Sequence, residues 1–200
     1  MLFVATVVKT HIVQFHIPYL KMLHDAGWET AVAAKNDYDD PKDCVIPYCD
    51  HYFPVSFGRS PFTRDNLRAY RELKRIINTG DFDMIHCHTP VAAFLTRLAA
   101  RGARKKGCKV LYTAHGYHFY KGAPLLNWLL FFPAEWFASF FTDVLITINR
   151  EDYEFSKKHF HAKRLEYVRG VGVRLERFQN HSGDRDAVRT SLGLQEDDFV

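Results

Sequence analysis

Short apolar runs alternate with longer amphipathic stretches along the chain. The run "LFVATVV" (2–8) is apolar at nearly every position, as in a strand buried on both faces. Residues 16–26 come next as a helix, with Pro18 tolerated in its first turn and Gly27 ending it. "WETAVAA" predicts a second strand and "HYFPVSF" a third, weaker one, separated by a polar loop around 36–42. Over 63–79 the apolar spacing predicts a helix with Leu67, Tyr70, Leu73 and Ile77 on one face. "FDMIHCH" is the next strand. Thr89 is placed to cap the helix after it, with Pro90 in first position, and that helix runs to about Lys106. The strand "CKVLYTAH", a helix between Pro124 and Phe141, the strand "DVLITIN", a short helix from Arg150 and the strand "RLEYVRG" complete the pattern.

This alternation predicts an α/β fold: a Rossmann-like, doubly wound parallel sheet with helices on both faces and right-handed crossovers. From Val171 to Asp186 the chain turns polar and loses periodicity, which reads as a linker. "RDAVRTSLGL" then predicts a short helix closed by Gly193, and "DDFV" resembles the approach to a new strand. The expected organisation is one domain over 1–172, with 173–200 an interdomain linker and the start of a second domain.

Composition bounds the function. Hydrophobic residues make up 47% of the 200 positions, enough for a sizeable core, and aromatics make up 15%. A formal net charge of +4 is too small to argue for nucleic acid, and no nucleic-acid motif is present. The four cysteines, Cys44, Cys49, Cys87 and Cys108, form no CxxC and read as free thiols of a reducing cytosol. The N-terminus lacks a basic region and a cleavage site, so it reads as a strand and not a signal peptide.

Open parallel sheets bind ligands at the carboxyl ends of their strands. The predicted strands end at Lys9, Thr10 and His11; at His86 and His88; at His115, with His118 beyond; at Thr147 and Asn149; and at Gly170. Five of the 11 histidines therefore gather at one end of the sheet. His86 sits deeper in its strand and reads as a core histidine with a local partner. His115 precedes Gly116, which allows close backbone approach to a ligand. "HCH" and "HGYH" together supply four imidazoles, but "TAHGYHFYKGA" holds no carboxylate, so no metal and no cofactor are expected. GxGxxG and the P-loop are absent. The apolar stretch 119–141, broken by Pro124, Asn127, Pro133 and Glu135, is a poor membrane span. It suits a core helix, a face for a further domain, or an interfacial helix. Arg97, Arg101, Arg104, Lys105, Lys106 and Lys109 read as a solvated helix face or as a surface for anionic headgroups.

"MIHCHTP", "VLYTAHGYHFYKG", "VLITINREDYEF" and "YVRGVGVRLERF" resemble the group 1 (family 4) glycosyltransferases, and most nearly the bacterial members that build capsular and exopolysaccharide repeat units. The resemblance implies the N-terminal half of a GT-B enzyme. Such an enzyme is a retaining hexosyltransferase that moves a sugar from a nucleotide diphosphate donor to a saccharide or polyprenyl-linked acceptor. The acceptor would lie on this half and the donor mainly on a C-terminal half. His115 matches the histidine that reaches the donor sugar or acceptor and is the catalytic candidate. Gly170 and Val171 match the entry to the interdomain linker. The first loop, "KTHIVQ", departs from the family's glycine-rich form, leaving Lys9, Thr10 and His11 as substitutes. With His88, Gly116, His118 and Asn149, these are the expected substrate-binding residues. A cytoplasmic location, with peripheral contact on the inner membrane face, is expected. The competing readings are a stand-alone acceptor- or membrane-binding module and a histidine-site, metal-dependent hydrolase.

Overall fold

The structure, a computed structural model, describes residues 1–58, 60–61, 63–172, 184–195 and 197–199. Most of the expected linker, 173–183, lies outside them. The chain divides into two compact units, Met1–Gly170 and Val171–Val200.

In chain order the first unit contains β1 (Leu2–Val7), a π-helical turn (Val8–Ile12), α1 (Val13–Phe15), α2 (Ile17–Asp25), β2 (Ala31–Lys35), β3 (His51–Pro54) and α3 (Arg64–Thr79). It continues with β4 (Met84–His88), α4 (Pro90–Ala99), α5 (Arg101–Lys105) and β5 (Lys109–Ala114). Then come α6 (Leu125–Ser139), β6 (Val144–Thr147), α7 (Arg150–His159) and β7 (Arg164–Tyr167). The strands form one seven-stranded sheet in the order β3-β2-β1-β4-β5-β6-β7. Every pairing is parallel, as the alternating pattern predicts.

Central strands of such a sheet are covered on both sides, which explains the unbroken apolar run of β1. Leu2 and Val4 enter one buried cluster with Ala31, Ala33, Ile85 and Cys87. Phe3 and Ala5 enter the other with Val32, Ala34 and Leu20.

Several local expectations need correction. Leu73 and Ile77 are buried and Tyr70 packs on the core as expected, but Leu67 is exposed, and Asn66, Ala69 and Ile76 join the buried face. Asn66 anchors the start of the helix: its Oδ1 accepts from the Gly58 N–H at 3.0 Å and its Nδ2 donates to the Ser60 carbonyl at 2.8 Å. Thr89 does not cap α4. Its backbone sits at φ 61°, rare for a β-branched residue, and its hydroxyl instead meets the Thr6 hydroxyl at 2.7 Å, tying β4 to β1. The 90–106 helix is two helices, α4 and α5.

The basic stretch is not uniformly solvated. Arg97 is 1% exposed, with Nη2 donating to Glu135 Oε2 at 2.8 Å and its guanidinium 4.1 Å from the Tyr112 ring centroid. This pair clamps α4 to α6. Arg104 makes a fork with Asp143 at 2.8 and 2.9 Å, and Lys163 adds a contact at 3.0 Å. Arg101, Lys105, Lys106 and Lys109 remain exposed.

Helix α6 has two characters. Trp128, Phe131 and Phe132 pack on the core. Leu125, Leu126 and Leu129 are exposed. Among the described residues no helix is long and apolar enough to cross a membrane. The second unit contains α8 (Asp184–Ser191), with Gly193 beyond it at φ 70°. Residues 197–199 carry no strand.

Removing one partner of the Arg97–Glu135 pair strands a buried charge. Arg97→Met or Glu135→Ala is expected to cost about 3–5 kcal/mol in urea denaturation. The double variant Arg97→Met/Glu135→Leu should cost clearly less than the two singles combined. Burial pushes the Asp143 carboxyl up, but hydrogen bonds from Arg104, the Val110 N–H and Lys163 reverse this and hold it below its usual value. A depressed carboxylate stabilises the fold above its unfolded pKa and loses that contribution as pH falls. The stability gap between wild type and Asp143→Asn should therefore be widest near neutrality and narrow below about pH 4, as measured by thermal melts across pH.

Candidate functional site

The chain winds outward in both directions from β1 and β4, so the crossovers leave on opposite faces and open a crevice at the carboxyl ends. Four histidines converge there. His11 lies in the π-helical turn after β1, His16 between α1 and α2, His88 at the last position of β4 and His115 just after β5. The His16 and His88 rings stand 3.9 Å apart, His11 and His16 5.1 Å, His11 and His115 5.2 Å, and His88 and His115 5.6 Å. Phe3 stacks on His88 from within the sheet. His88 and His16 are buried, while His115 is partly exposed.

Burial, assisted by the neighbouring imidazoles, lowers the pKa of His11 to about 4, that of His16 further, and that of His88 well below its usual value. Burial also lowers His115. The cluster is therefore neutral at pH 7. His86 falls to about 4 for the same reasons, but its Nε2 bonds the Thr113 hydroxyl at 2.8 Å. Its partner is a side chain on the neighbouring strand. Among the described residues, His11 Nε2, both ring nitrogens of His16 and His88 Nε2 are buried with no hydrogen-bond partner.

The four imidazoles brought together differ from the "HCH" plus "HGYH" set. His118 points elsewhere: its ring lies 4.7 Å from Phe131, on the rim of an apolar cavity of about 250 Å³ that Phe94, Leu95, Phe119 and Gly116 also line. His16 is the member that sequence reasoning missed. It lies five residues after His11, a spacing that matches neither the face of an α-helix nor that of a strand. Between them the chain passes from the π-helical turn that carries His11 through α1 to His16.

The first loop is held from within. Asp37 accepts from the Lys9 N–H at 2.6 Å, the Thr10 N–H at 3.3 Å and the Thr10 hydroxyl at 2.9 Å. Those amides are occupied by a carboxylate. The Lys9 ammonium lies 3.7 Å from Asp39. Asn149 caps α7: its Oδ1 accepts from the Asp152 N–H at 2.7 Å and its Nδ2 donates to Asp152 Oδ2 at 2.7 Å. Asp152 also accepts from the Tyr117 N–H at 3.2 Å, fixing the backbone after Gly116. Gly116 itself stands at φ 135° with nothing within 4 Å of where a Cβ would sit, so the space beside its backbone is open. Gly170 takes φ 73° and Val171 is exposed.

The chain has known relatives. Residues 19–170 match the model of Glycosyltransferase Family 4. Glycosyltransferase EpsD of Bacillus subtilis (strain 168) is 47% identical over the whole of this chain and 51% of its own length. The UDP-Gal:alpha-D-GlcNAc-diphosphoundecaprenol alpha-1,3-galactosyltransferase of Escherichia coli is 29% identical over 74% of this chain and 38% of its own length. The solved structure of Anabaena Alr3699/HepE in complex with UDP shares the fold, with a TM-score of 0.63 at 16% identity, covering 96% of this chain and 49% of that one. The chain thus spans about half or less of the length of these relatives. Its Rossmann-like sheet and the match over 152 of its positions agree: the chain belongs to glycosyltransferase family 4.

Proposed function

We propose that residues 1–172 are the acceptor-side domain of a retaining glycosyltransferase of surface-polysaccharide biosynthesis, and that 173–200 lead into a donor-binding domain. The donor is a nucleotide diphosphate sugar, and the acceptor a saccharide or lipid-linked saccharide. No cofactor is required for the transfer itself.

The observation that carries this reading is the placement of His115. It stands at the strand-end crevice beside an unobstructed Gly116, flanked by an apolar cavity that suits a lipid-linked acceptor. The E. coli relative's name carries a diphosphoundecaprenol group, and the Anabaena protein was solved with UDP; both support the substrate classes. The exposed leucines of α6 suit peripheral contact with the inner membrane face, next to which a cytoplasmic enzyme would meet such an acceptor. As a neutral imidazole, His115 can donate or accept one hydrogen bond to the reacting sugar. His88 supports its orientation, with Nδ1 3.4 Å from His115 Nε2. His11 and Gly116 border the approach, while His118 lines the adjoining apolar cavity where the acceptor would lie. Lys9 and Thr10 act by shaping the loop, while Gly170 and Val171 lead towards the donor side. Asn149 acts through Asp152, which holds the turn after Gly116.

In the full-length enzyme, His115→Ala should lower kcat/KM about 10²- to 10³-fold, the range found when one preorganised hydrogen-bond donor is removed. Its melting temperature should stay within a few degrees of wild type. Near-normal turnover removes His115 from the mechanism. The 200-residue chain alone should bind UDP- or GDP-sugars weakly or not at all in calorimetry. Tight binding refutes the assignment of the donor to a further domain.

A further inference from the structure

Sequence pattern alone argues against a metal, because the "HGYH" segment has no carboxylate partner. The fold assembles a different set. We propose that His11, His16, His88 and His115 form a binding site for one late first-row divalent metal ion.

Three observations carry this. First, each of the four residues offers a ring nitrogen, and these four atoms all lie within 4.8 Å of one another. Zinc bound tetrahedrally by imidazoles at about 2.0–2.1 Å needs ligand nitrogens about 3.3–3.4 Å apart. The pair His88 Nδ1 and His115 Nε2 already stands at 3.4 Å. His11 and His16 complete the set within the 4.8 Å span.

Second, the cluster is short of protein partners. Both ring nitrogens of His16 lack one, in a residue 4% exposed, and so does Nε2 of His11, so each of these rings has a nitrogen free to ligate. Buried side-chain nitrogens are nearly always partnered. His86, two residues earlier on the same strand and only partly buried, obeys that rule through Thr113. The unsatisfied atoms belong to members of the cluster alone among the described residues.

Third, the donor set has a defined preference. It contains no carboxylate and no thiolate. Cys87, next to His88, faces the opposite side of the sheet, and its thiol meets the Leu111 carbonyl at 3.2 Å. An all-imidazole set favours zinc, copper or nickel over magnesium or calcium. His11, His16 and His88 form its inner side, and His115 is the ligand nearest solvent. A three-histidine site with an exchangeable fourth position is a familiar zinc arrangement.

This inference rests on the cluster's geometry and shares His88 and His115 with the transferase reading, so its test reads metal and not turnover, and the two readings fail separately. The purified protein is stripped with chelator, then titrated with zinc, and separately with cobalt(II) as a spectroscopic probe. One zinc per chain should survive desalting, and cobalt should give the intense visible bands of tetrahedral coordination. His16→Gln and His88→Gln should abolish both, with folding verified by circular dichroism. His118→Gln, outside the cluster, should retain both. Absence of stoichiometric zinc in the wild type overturns the site, and this arm needs no variant. An octahedral cobalt spectrum, or binding unchanged in folded His16→Gln, overturns it as well.

Discussion

The reversal of strand order between β1 and β4 is the constraint on which the site depends. A parallel strand must be left by a crossover, and right-handed crossovers running outward from two adjacent strands cover opposite faces. The carboxyl ends of β1 and β4 are then uncovered between them. The segments that leave these strands fall into that gap: the π-helical turn carrying His11, the end of β4 carrying His88, and the turn after β5 carrying His115. The Thr6–Thr89 hydroxyl contact holds the two lips together at the cost of an unfavourable backbone at Thr89. Strain of this kind persists where surrounding structure overdetermines it, and here a central sheet does so.

The fold was legible in the sequence because its signals are periodic. Continuous apolar runs marked the buried strands, and Gly27, Pro90 and Gly193 marked helix ends. The site was legible by position, since strand ends can be located without side-chain detail. What escaped was set by non-local pairing. Leu67 looked like a core residue, but in the first turn of α3 it is Asn66, bonded to the loop before it, that faces inward. Arg97 looked like one more surface cation. Its partner Glu135 lies 38 positions away on a helix whose apolar run Glu135 seemed only to interrupt. His16 was invisible for a related reason: it meets His88 across 72 positions, and it lies off any strand end.

The glycine-free first loop has a physical explanation in Asp37. A glycine-rich loop leaves its amides free for an anion. Here Asp37 takes up the Lys9 and Thr10 amides from β2's side of the crevice. That carboxylate holds the loop through its amides, and its negative charge disfavours an anion at the same place. Behind the loop, His11 Nε2 and both ring nitrogens of His16 are left without a partner among the described residues.

Helix α6 connects this crevice to the opposite face of the sheet. Its inner side is pinned by Glu135 to Arg97 of α4, and Tyr112 of β5 donates to the same carboxylate at 3.3 Å. One buried charge pair thereby sets the distance between α4, α6 and the strand that ends at His115. The apolar cavity beside His118 is bounded by those same elements, with Phe94 and Leu95 from α4, Phe131 from α6 and Tyr112 at its floor. A buried ion pair is a poor source of net stability, since desolvation offsets most of its attraction. It is directional, however, and a purely aliphatic contact between α4 and α6 could slide. The Arg97–Glu135 pair therefore fixes how α4 lies on α6 along the wall of this cavity.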